Sequence, residues 1–450
     1  MKTTAVILAA GQGTRMKSNL PKVLHAIAGV PMITHVVNIA KQVTTETPVI
    51  VIGHGADAVR SIVGDDAIFV MQDQQLGTGH AVRQAESTLK GKTDLILVFY
   101  ADMPLYRPET LKALIDAQKA SGGAMSMLTV VADDPRGFGR IVRKADGSVA
   151  AIVEEAVANA DQLKIKELNV GGYCFRADWL WQALARINVS PKGEYYLTDT
   201  VEIAVKDNLS VQAAIIEDRD EVIGINTRVH LAEAEAVMRK RINEAHMLNG
   251  VTIIDPAATY IQSGIAIGRD TIIQPNTHLQ GETSIGAGCV IGPNTIIRNT
   301  KIGDRCKVLA ADLESAILDN DVDMGPFVRL RKGAHLGDHV HMGNFGEVKD
   351  SHLRAGVKMG HFSYIGNADI GANTNIGAGT ITCNYDGEKK HATTIGEDVF
   401  IGSDTMLVAP IKLGDGARTG AGSIVTKDVP DDTLVVGMPA RAIKKLKRKG

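Results

Sequence analysis

The stretch Ile261-Gln262-Ser263-Gly264-Ile265-Ala266-Ile267-Gly268-Arg269-Asp270-Thr271-Ile272-Ile273 carries an isoleucine at every sixth position, and Leu279, Ile285, Ile291 and Ile297 continue the register. With 44% hydrophobic residues in the chain, seven matches in a row arise by chance at a frequency of about 0.003, so the repeat is genuine. The period returns at Ile395, Ile401, Leu407 and Leu413, and Val425 keeps the phase. Six is neither the two of a simple strand nor the 3.6 of a helix. It predicts a parallel β-helix of short strands, each sending one aliphatic side chain inward, with small residues at the corners. At six residues per strand, the 200 residues from 251 onward allow about eleven three-sided turns. The phase slips after Ile297 and again around residues 387–390, which predicts loops or insertions at both places.

The composition changes where this repeat begins. Of 46 glycines, 27 fall in the last 200 residues, whereas Trp179 and Trp181, the two tryptophans, lie before them. Residues 231–249 are rich in helix formers, and Leu231, Ala234, Met238, Ile242, Ala245 and Leu248 make one apolar stripe ending before Gly250. That segment reads as a linker helix. Further upstream, apolar runs at residues 5–10, Val49–Ile52, Ile68–Met71 and Leu95–Tyr100 alternate with helical spacing, as at 108–119. Uninterrupted apolar runs suit strands buried on both faces, so the first part reads as a doubly wound α/β domain. The expected divisions are 1–227, a linker helix at 228–250, and the β-helix at 251–450.

The charges nearly cancel, 49 Lys+Arg against 51 Asp+Glu, which leaves no electrostatic footprint for nucleic acid. No run approaches a membrane span, and the short apolar N-terminus reads as a strand entering a loop rather than a targeting segment. The four cysteines lie far apart without a C-x-x-C pair. A reducing, cytoplasmic setting is therefore expected.

Function-bearing residues cluster at chain positions where strands end. Leu8-Ala9-Ala10-Gly11-Gln12-Gly13-Thr14-Arg15-Met16 puts glycines directly after the first buried strand, where backbone N–H groups can approach a polyphosphate and Arg15 and Lys22 can add positive charge. Met16 excludes the dinucleotide fingerprint G-x-G-x-x-G, and Glu86 excludes a Walker loop at Gly91-Lys92-Thr93. Asp102 follows the run Leu95–Tyr100 and so belongs at the carboxyl edge of the sheet, where α/β domains bind ligands. In the second half, polar residues gather unusually: Arg331, Lys349, His361, Tyr364, Asn375, Asn384 and Tyr385. Hexad packing has no need of Gly360-His361-Phe362-Ser363-Tyr364, and a histidine suits proton transfer from an attacking amine. His335, His339 and His341 match no zinc spacing and read as surface residues.

The string Leu8-x-x-Gly11-x-Gly13-Thr14-Arg15-Met16-x4-Pro21-Lys22 resembles the signature of sugar-phosphate nucleotidyltransferases. Together with the hexapeptide half, nearly the whole chain resembles the bacterial family of bifunctional N-acetylglucosamine-1-phosphate uridyltransferases / glucosamine-1-phosphate N-acetyltransferases. The resemblance implies a Rossmann-like head, a left-handed β-helix, and synthesis of UDP-N-acetylglucosamine for cell-wall precursors. It implies Mg²⁺, held by Asp102 and Asn226, with UTP as co-substrate and acetyl-CoA as acetyl donor. Arg15 and Lys22 would act on the phosphates. Leu8, Ala9, Ala10, Gly11, Lys22, Gln72, Gly77, Thr78, Tyr100, Ala101, Asp102, Gly139, Glu154, Asn169 and Asn226 would hold nucleotide and sugar, with Gln72 reading uracil through its amide. In the second half His361 would be the general base, Arg331, Lys349, Tyr364 and Asn375 would hold glucosamine phosphate, and Ala378, Asn384, Tyr385, Ser403 and Ala421 would meet acetyl-CoA. The family's late CoA-binding arginine has no clean counterpart: Met438 occupies the aligned position and Arg441 is the nearest candidate. The basic run 444–449 reads as a solvated tail. The family further implies a homotrimer built through the β-helix. An alternative keeps the nucleotidyltransferase and makes the β-helix regulatory or oligomerising.

Overall fold

A computed structural model of the chain describes residues 1–446, which form two compact units that divide after Met238. In the first, the buried apolar runs become the centre of a sheet. From edge to edge its strands are Val211–Ile215, Met125–Val131, Glu167–Arg176, Leu95–Tyr100, Thr3–Leu8, Val49–Ile52 and Ile68–Met71. Thr3–Leu8 lies parallel to both of its neighbours, with Leu8 opposite Tyr100 and Val51. The central runs are apolar because both faces are covered, and Ala5, Val6, Ile7 and Ile96 to Phe99 are fully buried. Glu167–Arg176 runs antiparallel to its two neighbours and carries the hairpin Gly139–Arg143 and Val149–Val153 beyond the sheet's main path.

The linker helix spans Arg228–Leu248. Within the first unit Leu231, Ala234, Val237 and Met238 pack with Ile27, Met32, Leu105, Ile223 and Ile225, and Glu235 accepts the Ala28 N–H at 2.7 Å. Within the second, Ile242 packs on the β-helix core and buried Asn243 donates to the carbonyls of Pro256 and Thr259. The expected stripe fails at its end, where Ala245 and Leu248 are exposed. The partners change part-way along the helix, and the buried face turns toward Ile242 and Asn243.

The second unit is a left-handed parallel β-helix with three sheets, of ten, nine and twelve strands. The inward column Leu279, Ile297, Leu313, Leu330, Val348 and Ile365 is wholly buried, and consecutive members are register partners. The two phase slips have different causes. After Ile297 no loop appears. Inward residues instead fall five apart at Ile297→Ile302, Val308→Leu313→Leu318 and Val348→Leu353, each a corner shortened by one residue. The second slip is a true insertion: Thr382 pairs with Leu407 twenty-five residues on, against sixteen to eighteen elsewhere in that sheet. The excess lies between Cys383 and Thr393. Thr382 and Thr419 take inward positions in place of aliphatics, and Thr382 spends its hydroxyl on the Gly366 N–H and carbonyl. Lys444 and Lys445 belong to the last strand, Ala440–Lys445, opposite Leu434 and Thr433, rather than to a free tail; Lys447 to Lys449 lie outside the described residues.

Because the inward column is close-packed, Leu330→Ala leaves a cavity that neighbouring coils cannot fill. It is expected to cost about 2–5 kcal/mol, read as a lower urea midpoint of the β-helix transition.

Candidate active sites

The first site forms where adjacent parallel strands end together. The Ala101 N–H donates to the Leu8 carbonyl at 3.0 Å, which sets Asp102 beside the loop after Leu8. The Ile225 N–H donates to the Asp102 carbonyl at 2.9 Å and brings Asn226 to the same edge. Lys22 enters from across the glycine loop. Gly13 has φ +63, and a Cβ there would lie 2.6 Å from the Lys22 Cβ, so only glycine lets the loop close over the lysine. The Lys22 ammonium then donates to Asp102 Oδ2 at 2.5 Å and Asn226 Oδ1 at 3.2 Å, and Arg15 donates to Asn226 Oδ1 at 2.9 Å.

Two adjoining cavities open on this cluster. One, of about 340 Å³, is lined by Leu8, Ala9, Ala10, Gly11, Lys22, Gln72, Gly77, Thr78, Tyr100 and Asp102. The other, of about 290 Å³, shares Thr78, Tyr100 and Asp102 and adds Gly139, Glu154, Asn169 and Asn226. The Tyr100 ring stands between them, and burial pushes its hydroxyl well above the usual phenol range. Gly171, at φ +82, lies so close beneath the ring that any Cβ would strike it. Asn169 is oriented by buried Tyr173, to whose hydroxyl it donates at 2.7 Å. Gln72 donates to the Gly77 carbonyl at 3.1 Å and lies 3.0 Å from His80 Nδ1. Its NH₂ is thereby committed, leaving the amide oxygen to read a base rather than donor and acceptor together.

The second site is laid out in columns. Arg331, Lys349 and Tyr364 stand on successive coils of one sheet, with Glu347 opposite Tyr364 and Lys349 opposite Gly366. Arg331 pairs with Glu347 at 3.0 Å. Asn384 reaches the same edge, and a Cβ on Gly366 would meet both the Tyr364 hydroxyl and the Asn384 amide. His361 is exposed at a corner, between the strands Lys358–Met359 and Ser363–Gly366. Above it, backbone bonds join Gly379 to Phe362, Asp404 to Ala378, and Gly422 to Ser403. Consequently His361, Ala378, Ser403 and Ala421 form one corner column over four coils, and the three above the histidine are small. Asn375 lies on the adjoining sheet, opposite Lys358.

Residues 5–167 match the MobA-like NTP transferase domain, and residues 264–299 and 392–427 match the bacterial transferase hexapeptide (six repeats). Over its full length the chain is 44% identical to the bifunctional protein GlmU of Streptococcus equi subsp. zooepidemicus, covering 99% of this chain and 97% of that one. The GlmU of a Geobacillus species is 46% identical, again over 99% and 97%. The chain belongs to the GlmU family. It is accordingly a bifunctional transferase, with a nucleotidyltransferase head and an acetyltransferase β-helix. Among the described residues, no helix is long and apolar enough to cross a membrane.

Some residues stand outside the two cavities and the corner column. Ala101 is fully buried, lines neither cavity, and has spent its N–H on Leu8; it places Asp102 without presenting a surface to nucleotide. Arg15 also lines neither cavity and reaches the site through Asn226. Arg441 stands on the last strand opposite Val436. His335, His339 and His341 each face an aspartate on the preceding coil, Asp319, Asp321 and Asp323, and form no metal cluster among the described residues.

Other residues that line the cavities were not singled out from the sequence. Gln75 donates to the Ala10 carbonyl at 2.6 Å and lines the larger cavity, as does Glu194. Tyr196 lines both cavities. Thr198 donates to Glu154 Oε1 at 3.0 Å and lines the smaller one. The doublet Tyr195-Tyr196 in a polar segment was the available hint. Lys390 lies beside Lys349, and this second ammonium, with burial and Arg331, holds the Lys349 ammonium below its usual range.

Next to Thr198, burial raises the Asp199 carboxyl to about 6, and Glu202 and Glu154 add to the shift. A raised folded-state value means that ionisation costs stability, a cost absent below the unfolded value and complete above the folded one. Asp199→Asn should therefore raise the urea midpoint of the head at pH 8 and leave it unchanged below about pH 4.

Proposed function

We propose that the β-helix acetylates glucosamine 1-phosphate from acetyl-CoA and that the head couples the product to UTP, releasing pyrophosphate and forming UDP-N-acetylglucosamine. What carries this reading is that each unit gathers its own reactive groups in one place: Lys22, Asp102 and Asn226 in the head, and His361 at the foot of the small-residue column in the β-helix.

In the head, UTP occupies the larger cavity, with uracil toward Gln72 and phosphates toward Gly11, Arg15 and Lys22. The sugar lies in the smaller cavity. Glu154 keeps one carboxylate oxygen for a sugar hydroxyl, since Thr198 donates to the other. An oxygen of the sugar phosphate attacks the α-phosphorus, and the bond to pyrophosphate breaks. Asp102 and Asn226 are hard oxygen donors already turned toward one cationic group, the Lys22 ammonium, which makes the pair a fitting seat for Mg²⁺. Mg²⁺ bound there would offset charge on the phosphates.

In the β-helix, Arg331, Lys349 and Lys390 surround the substrate phosphate and Tyr364 and Asn375 orient the ring. His361 takes the proton as the amine nitrogen attacks the thioester carbonyl and the CoA thiolate leaves. The pantetheine arm follows Ala378, Ser403 and Ala421, whose small side chains admit it, with Asn384, Tyr385 and Arg441 alongside. The assembly is a homotrimer formed through this unit and working in the cytoplasm. One support is the run of exposed rings Phe327, Phe345 and Phe362, which climbs three coils below Gly379. Phe327 and Phe345 stack at 5.3 Å, and both accept positive φ, an uncommon conformation for so bulky a side chain. A face so built is suited to burial against another chain.

Two variants and a chelator separate the reactions. His361→Ala should lower acetyl transfer by about 10²–10⁴-fold and leave uridyl transfer intact, while Asp102→Ala should do the opposite. Chelation of divalent ions should stop uridyl transfer only. CoA release and pyrophosphate release report the two steps; loss of both in either variant would overturn the assignment.

A further inference from the structure

The coil that contains residues 384–392 has a register of twenty-five residues, against twenty in the first coil and sixteen to eighteen in the others among the described residues. The extra chain is not loose. Its ends are drawn together by the His391 N–H on the Asn384 carbonyl at 2.8 Å, and Tyr385 bridges to Lys390. At its tip Asp386 is the hub. Oδ1 accepts the N–H groups of Glu388 and Lys389, both at 2.8 Å, and Oδ2 meets His391 Nε2 at 2.5 Å. These donors hold the Asp386 carboxyl well below the usual carboxylate range.

The loop carries three groups of the acetyl site: Asn384, Tyr385 and Lys390. Asn384 is anchored by its own bond to Asn367 Oδ1 at 2.7 Å. Lys390 has the opposite problem, because it is held beside another ammonium, Lys349, whose ion pair with Asp350 at 3.7 Å only partly offsets the repulsion. Two like charges so placed repel until an anion arrives. A flexible arm would let Lys390 swing out. Something must oppose that repulsion.

We infer that the Asp386–His391 pair is a positioning device that locks this loop, keeps Lys390 against Lys349, and thereby sets affinity for the phosphate of the amino-sugar substrate. The inference rests on the acetyltransferase reading above and adds the residues that act through Lys390 without touching substrate. Opening the lock should cost phosphate recognition and spare the chemistry at His361, which stands on a separate corner.

The test is steady-state acetyl transfer by the full-length protein, with KM measured separately for glucosamine 1-phosphate and acetyl-CoA. Asp386→Ala should raise KM for glucosamine 1-phosphate about tenfold with kcat little changed, and uridyl transfer unaffected. Lys390→Ala should give a similar rise, and the double variant no more than either alone, because both remove one interaction. His391→Gln, which retains a side-chain donor toward Asp386, should keep most of the affinity that His391→Ala loses. This second pair of variants decides the matter if Asp386→Ala does not fold. An unchanged KM in Asp386→Ala and His391→Ala, or additive losses in the double variant, would overturn the inference while leaving the enzyme's assignment intact. Absence of CoA release by the unaltered protein would instead overturn the acetyltransferase reading itself.

Discussion

In a parallel β-helix, each inner strand is tied by backbone hydrogen bonds to the coil below and the coil above, successive residues bonding to alternate sides. A residue added within a strand would turn every inward side chain after it toward solvent. Length can therefore change only at corners, and this constraint shapes the whole second unit. Small losses shorten a corner and leave the inward column intact, as between Ile297 and Ile302. Large gains must be expelled, as they are between Cys383 and Thr393. The same constraint builds the site. Residues separated by one coil's length in sequence stand one above another in space, so His361, Ala378, Ser403 and Ala421 share a corner without being near in the chain.

The head achieves convergence differently. Parallel strands that start together end together, and their following residues meet at one edge. Leu8, Tyr100 and Val51 are level in the sheet, so the glycine loop, Asp102 and the cavity walls arise from strand register alone. Asn226 is distant in sequence and reaches the edge through one backbone bond, Ile225 to Asp102. Ile225 itself lies in the small core with Leu231 and Ala234 of the long helix. The packing of that helix on the head and the position of Asn226 are thus parts of one structure.

Both architectures were legible in the sequence, because each rests on a periodicity: buried apolar runs in the head, hexads in the β-helix. Residues at strand ends were legible too, since Gly11, Gly13 and Asp102 follow apolar runs directly. What stayed hidden depends on contacts between segments with no pattern of their own. Tyr196 and Thr198 enter the smaller cavity only because the chain around Tyr195 bonds to the segment Leu76 to Gly79. Ala101 entered through the resemblance alone, which does not tell which groups face the cavity; its N–H is committed to the sheet. The apolar stripe of the helix was misread at Ala245 and Leu248 because a single periodicity assumes a single partner surface. Lys390 sits in an expelled loop, where neither hexad nor strand end marks it.

The two cationic sites differ in how they rest before substrate arrives, and that difference bears on what each must do. In the head, Lys22 is already paired with Asp102, partly shielded from solvent, so little net charge is stored. A polyphosphate entering there must exchange partners with the carboxylate: the Lys22 ammonium turns to phosphate and releases Asp102, and Asn226 is released only as its other donor, Arg15, turns as well. Transfer of both cations and the freeing of a hard-oxygen pair then go together, which links nucleotide binding to the seat proposed for the divalent ion. In the β-helix no such exchange is available between Lys349 and Lys390. Lys349 keeps a looser carboxylate partner, Asp350 at 3.7 Å, and the remaining repulsion is opposed by the fold, through a loop whose closure does not depend on ligand, until an arriving phosphate relieves it. The first site is therefore built to rearrange on binding and the second to be filled. This follows from where Asp102 stands in one unit and where Asp386 stands in the other.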